Sequence, residues 1–83
     1  MNILIVDDEA AVRQAMQRAL MVEAYSVQMA SDGIEALTSI ASEQPDVVIL
    51  DVLMPGIDGL EVARRLRRGG NHVPILMLTA REA

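Results

Sequence analysis

Apolar residues along this chain fall into continuous runs and spaced stripes. Three runs of four, Ile3-Leu4-Ile5-Val6, Val47-Val48-Ile49-Leu50 and Ile75-Leu76-Met77-Leu78, are what strands look like when helices cover both faces of a parallel sheet. Residues 25 to 29 instead alternate, Tyr-Ser-Val-Gln-Met, as a half-exposed edge strand does. From Glu9 to Val22, Val12, Ala15, Met16, Ala19 and Leu20 keep the i, i+3, i+4, i+7, i+8 spacing of an amphipathic helix, with Arg13, Gln14, Gln17 and Arg18 on its wet face. Two further helix starts are written as Asp32-Gly33-Ile34-Glu35 and Asp58-Gly59-Leu60-Glu61, an N-capping Asp with Glu three residues on. The first predicts a helix through Ala41 with Ile34, Leu37 and Ile40 inward. The second runs through Arg68 with Leu60, Ala63 and Leu66 inward. Arg64, Arg65, Arg67 and Arg68 complement the dipole of that last helix, and Gly69-Gly70 ends it.

The predicted order is β-α-β-α-β-α-β, with helices long enough for parallel crossovers. Right-handed crossovers place them on the faces of one doubly wound parallel sheet, so the expected class is α/β and residues 1–83 are expected to be one domain. Composition refines this picture. Hydrophobic residues make up 52% of the chain but aromatics only 1%, so aliphatic side chains and Met must fill the core, and the stacking platforms of single-strand nucleic-acid binders are missing. A net charge of −5 disfavours unlocalised binding to phosphate backbones, and no direct contact with nucleic acid is expected. Every base is Arg, and Cys is absent, which rules out disulfides and thiolate metal sites. Neither a secretion signal nor an apolar run of membrane-spanning length is visible, and the expected location is cytoplasmic.

Candidate chemistry sits where the strands end. Asp7-Asp8 follows the first strand, Asp51 the third and Thr79 the fourth. In open α/β sheets ligands bind at the carboxyl ends of the strands. If these strands are parallel neighbours, the side chains converge. Two carboxylates about 4 Å apart repel by roughly 4 kcal/mol at an effective dielectric of 20, so three together call for a cation. Few carboxylates, with water completing the shell, suit Mg²⁺. The plainer alternative is that Asp7 and Asp8 cap the first helix, Asp51 caps a loop and Thr79 belongs to a turn.

Val6-Asp7-Asp8-Glu9, the stretch from Asp51 through Met54-Pro55 to Asp58-Gly59-Leu60-Glu61, and Thr79-Ala80 resemble the signatures of response-regulator receiver domains. The resemblance covers the whole chain in order and spacing. It implies a flavodoxin-like receiver fold in which Asp51 accepts a phosphoryl group from a sensor histidine kinase. It further implies that Asp8 ligates Mg²⁺ directly and Asp7 through water, that the backbone carbonyl of Leu53 adds a ligand, and that Thr79 contacts the phosphoryl oxygens and switches rotamer. Such a domain is a phosphoacceptor rather than an enzyme, and commonly controls a DNA-binding transcriptional output, none of which lies in these residues. Against the family pattern, a fourth helix, a fifth strand ending in Lys and a fifth helix are missing, and Arg81 is a poor substitute for that Lys. The resulting open sheet edge leads us to expect completion by another chain, such as a homodimer partner. The competing expectation is an interaction module that dimerises or binds a kinase without phosphoryl turnover. An aspartyl phosphatase would need a second Asp where Leu53 stands. His72, the single histidine, is expected to be a solvated loop residue.

Overall fold

The computed structural model describes residues 1–78. Four strands, β1 (Asn2–Val6), β2 (Ser26–Ala30), β3 (Val47–Asp51) and β4 (Ile75–Leu78), alternate with three helices, α1 (Ala10–Val22), α2 (Gly33–Ser42) and α3 (Gly59–Arg68). All pairings are parallel and the strand order is β2-β1-β3-β4. The expected α/β doubly wound parallel sheet is therefore present. The three apolar runs form β1, β3 and β4, with β1 and β3 at the centre.

Alternation along these strands sorts the core into two layers. Leu4, Val6, Val48 and Leu50 face α2 and α3, packing with Ala36, Ile40, Val62, Leu66 and Val73. Ile3, Ile5 and Ile49 face the other way, toward Met16 and Leu20 of α1. That second layer is thinner: α1 has no buried residue, and Leu76, which pairs with Ile49, is 55% exposed.

Three sequence expectations shift by a residue or a face. In α2 the inward stripe is Gly33, Ala36, Leu37 and Ile40, while Ile34 is 57% exposed. In α3 it is Gly59, Val62 and Leu66, and Leu60 is 47% exposed. In both helices the residue after the first Gly lies to the side of the buried stripe, because the Gly itself occupies the inward position of the first turn. The third shift is at β2, which begins at Ser26 rather than Tyr25. Helix α1 ends in a Schellman motif: the Tyr25 N–H donates to the Leu20 carbonyl at 3.2 Å and the Ala24 N–H to Met21 at 3.0 Å. Tyr25 is thereby held to the helix end. Ala24 takes the left-handed position of the motif, with φ 67°. Helix α3 ends the same way, with Gly70 at φ 82° and the Asn71 N–H on the Leu66 carbonyl at 2.8 Å.

The capping residues act as the sequence predicts. Asp32 Oδ1 accepts from the Glu35 N–H at 2.8 Å and Asp58 Oδ1 from the Glu61 N–H at 2.9 Å. The acids of the two boxes do not reach back to their caps. Glu35 accepts from the Ser31 hydroxyl, and Glu61 pairs with Arg64 and Arg65. Arg67 adds a C-terminal cap, donating to the carbonyls of Asn71 and Val73 at 3.0 and 2.7 Å. His72 is exposed, as expected.

Candidate functional site

The strand order creates one topological switch point, between β1 and β3, because the chain winds outward from these strands in opposite directions. The crevice outside the carboxyl ends of such a pair is where open α/β sheets place ligands. Asp7 and Asp8 leave β1 there, and Asp51 is the last residue of β3. One carboxylate oxygen from each of Asp7, Asp8 and Asp51 lies within 4.8 Å of the others. Asp7 and Asp51 are each 7% exposed, whereas Asp8 is open to solvent.

Local hydrogen bonds explain how the sequence holds the acids in place. The Asp7 N–H continues the sheet ladder onto the Ala30 carbonyl at 3.2 Å, and Asp7 Oδ1 accepts from the Glu9 N–H at 2.9 Å. The N-cap of α1 is Glu9, with no side-chain cap. Asp7 and Asp8 are therefore not side-chain caps of α1. Across the switch point, Asp51 Oδ1 accepts from the Leu53 N–H at 3.2 Å. The Val52 N–H donates to the Leu78 carbonyl at 2.9 Å, and the Gly59 N–H to the Val52 carbonyl at 3.0 Å. These bonds fold the loop after β3 tightly back onto the strand end.

Two residues of this arrangement were not singled out from sequence as part of a site. Gly59 begins α3 directly against the backbone of Asp51. A Cβ there would run into the Asp51 carbonyl and stand 2.9 Å from the Val52 Cα. Arg13, placed on the wet face of α1, sends its guanidinium back to the Asp7 carbonyl at 2.7 Å. The Asp-Gly pair at the helix start and the six-residue interval from Asp7 to Arg13 were the available signals, and neither is specific by itself.

Electrostatics set Asp51 apart. Burial pushes its carboxyl above the ordinary Asp value. The Leu53 amide pulls it back, and the nearby charges of Asp7 and Asp8 push it further up. The buried acid that ends β3 is thus more basic than an ordinary Asp, as suits a nucleophilic carboxylate. The donor set is all oxygen and contains carboxylates only, which fits a hard divalent cation and offers nothing to a soft one. Thr79, expected to complete the site, lies outside the described residues.

Residues 3–83 match the family model for the response regulator receiver domain. The chain belongs to this family. It is 55% identical over 83 residues to the response regulator MprA of Mycobacterium avium, covering 100% of this chain and 36% of that protein. The chain therefore spans about a third of the length of the curated relatives it matches. Among solved structures, it resembles the response regulator TrrA of Thermotoga maritima in complex with Mg²⁺-BeF, with a TM-score of 0.91 and 43% identity over 98% of this chain and 70% of that one. It also resembles a chain of the complex between TrrA and the histidine kinase ThkA, with a TM-score of 0.90 and 43% identity over 99% of this chain and 71% of that one. The receiver fold expected from the sequence motifs is therefore confirmed.

Proposed function

We propose that this receiver domain takes a phosphoryl group from a sensor histidine kinase onto Asp51, with Mg²⁺ held by the neighbouring acids. The observation that carries the reading is the convergence of Asp7, Asp8 and Asp51 at the single switch point of the sheet. In the transfer, the bond between phosphorus and the kinase's histidine nitrogen breaks and a bond from phosphorus to a carboxylate oxygen of Asp51 forms. The Leu53 amide holds Asp51 Oδ1, leaving the other carboxylate oxygen to attack. Asp8, exposed and adjacent, is the direct ligand in this reading. Asp7 acts through water and the Leu53 carbonyl completes the protein's share. A bound Mg²⁺ supplies positive charge that offsets the acids and the phosphoryl oxygens. Thr79 contacts a phosphoryl oxygen in this reading, as the family motif implies.

Support comes from one receiver relative in two structures: TrrA was solved in complex with Mg²⁺-BeF and also with the histidine kinase ThkA. The domain is a phosphoacceptor rather than a turnover enzyme. Its setting is cytoplasmic, and no helix among the described residues is long and apolar enough to cross a membrane. Control of a DNA-binding transcriptional output elsewhere in a longer protein is part of the same proposal. Intact mass after incubation with a small acyl phosphate, with and without Mg²⁺, tests it. A Mg²⁺-dependent phosphoryl adduct on the wild type, absent from Asp51→Asn, is the expected result. A folded wild type that takes no adduct would instead favour the interaction module.

A further inference from the structure

The loop between β1 and α1 carries both exposed and buried acids of the site, yet it is only three residues long, Asp7 to Glu9. It is stitched at three points. Asp7 Oδ1 accepts from the Glu9 N–H, the Arg13 N–H donates to the Glu9 carbonyl at 3.1 Å, and Arg13 Nη1 donates to the Asp7 carbonyl at 2.7 Å. The last of these comes from the fourth residue of the helix and is charge-assisted, hence shorter and stronger than a neutral bond. It closes a ring from the strand end, through Asp8, to the first turn of α1. Asp8 itself has no hydrogen bond from its side chain among the described residues. Its direction is set by the backbone on either side.

We propose that Arg13 is a positioning residue for the divalent cation: by gripping the Asp7 carbonyl it fixes the backbone that aims Asp8 and Asp7 at Asp51. This rests on the phosphoacceptor reading of the site. Charge alone predicts the opposite outcome. A guanidinium beside three carboxylates repels a cation, so its removal should tighten metal binding if field effects dominate. If the clamp dominates, removal weakens binding although no ligand is lost, as seen when residues that orient metal ligands are replaced. The sign of the effect separates the two.

The test is calorimetric titration of Mg²⁺ into wild type, Arg13→Gln, Arg13→Lys and Asp8→Asn, with circular dichroism confirming the fold. Arg13→Gln is expected to bind about 10-fold more weakly or worse, and Arg13→Lys, which keeps a donor, to recover part of the loss. Hydrogen exchange without Mg²⁺ should speed up at the Asp8 and Glu9 amides of Arg13→Gln while the β3 amides stay protected. Unchanged or tighter binding by Arg13→Gln overturns the proposal. Absence of Mg²⁺ binding by the wild type overturns the phosphoacceptor reading and the clamp together. Asp8→Asn losing affinity while Arg13→Gln retains it removes the clamp alone. A measurement on the wild type needs no variant. By linkage, Mg²⁺ must slow exchange of the Arg13 guanidinium protons, and exchange that is unaffected or faster refutes the clamp.

Discussion

Replacing Asp51 by Asn should make the metal-free protein more stable. The substitution is nearly isosteric, and the Asn carbonyl can still accept from the Leu53 N–H. What it removes is a charge that is 7% exposed and within 4.8 Å of two other carboxylates. Burial is the largest cost to that charge, and at that separation and an effective dielectric near 20 the carboxylate of Asp7 adds an unscreened repulsion of about 3.5 kcal/mol. Exposed Asp8 adds about 1 kcal/mol or less at the dielectric of water. Weakening a charged hydrogen bond to a neutral one returns about 1 kcal/mol. Water reaching the rim of the crevice screens the larger figure as well, so a net gain of about 1–2 kcal/mol is expected, or about 4–8 °C in Tm for each kcal/mol.

The pH dependence fixes the cause. The carboxyl pKa is raised in the folded state, so the folded protein binds the proton more tightly than the unfolded chain. The penalty is absent below the ordinary Asp value of about 3.9 and grows as pH rises toward the folded value, above which it is complete. Thermal melts in EDTA at neutral pH should therefore show Asp51→Asn above wild type, with the gap closing near pH 3. Adding Mg²⁺ should raise the wild type more than the variant. A variant that melts at or below the wild type in EDTA at neutral pH would refute the claim that this acid is held at a cost. A gap that persists undiminished in acid would refute its electrostatic origin.

Other substitutions probe the supporting backbone. Gly59→Ala places a Cβ against the Asp51 carbonyl, so it should cost about 1–3 kcal/mol in a denaturant melt and weaken Mg²⁺ binding, since the strand end must move. Retained stability and affinity would show that α3 can start elsewhere. The two Schellman ends form a matched pair. Ala24→Gly should stabilise by about 0.5–1 kcal/mol, and Gly70→Ala should destabilise by about 1 kcal/mol, both read from urea midpoints.

Much of this molecule was legible in its sequence, and the unread parts share a physical reason. Runs such as Val47 to Leu50 identify strands because burial on both faces leaves no room for polar residues, and Asp32 and Asp58 identify helix starts through local hydrogen bonds. Convergence of Asp7, Asp8 and Asp51 followed from parallel strands ending together. The rotation of a helix about its axis was less accessible. Ile34 and Leu60 invite an inward assignment by hydrophobicity, yet Gly33 takes the inward place against the side chains of Ile57 and Val62, and Gly59 against the backbone of Asp51 and Val52. Arg13 escaped for a related cause: a long side chain on a wet face says nothing of the carbonyl it can reach.

Of the four described strands, the first to leave the ribosome is one that ends at the centre of the sheet. β1 can pair with β2 once residue 30 has emerged, but its other edge, which takes β3 in register Ile3–Val47 through Val6–Leu50, stays bare until the middle of the chain has been made. Asp51 is the last residue of that third strand, so the three acids meet only when the central pair is zipped to its end. A nascent or partly unfolded chain thus has Asp7 and Asp8 but no third acid beside them. In the proposed reading, binding of a divalent cation is for that reason a chemical report on completed β1–β3 pairing, and a kinase that recognises the assembled crevice would be spared encounters with unfinished copies.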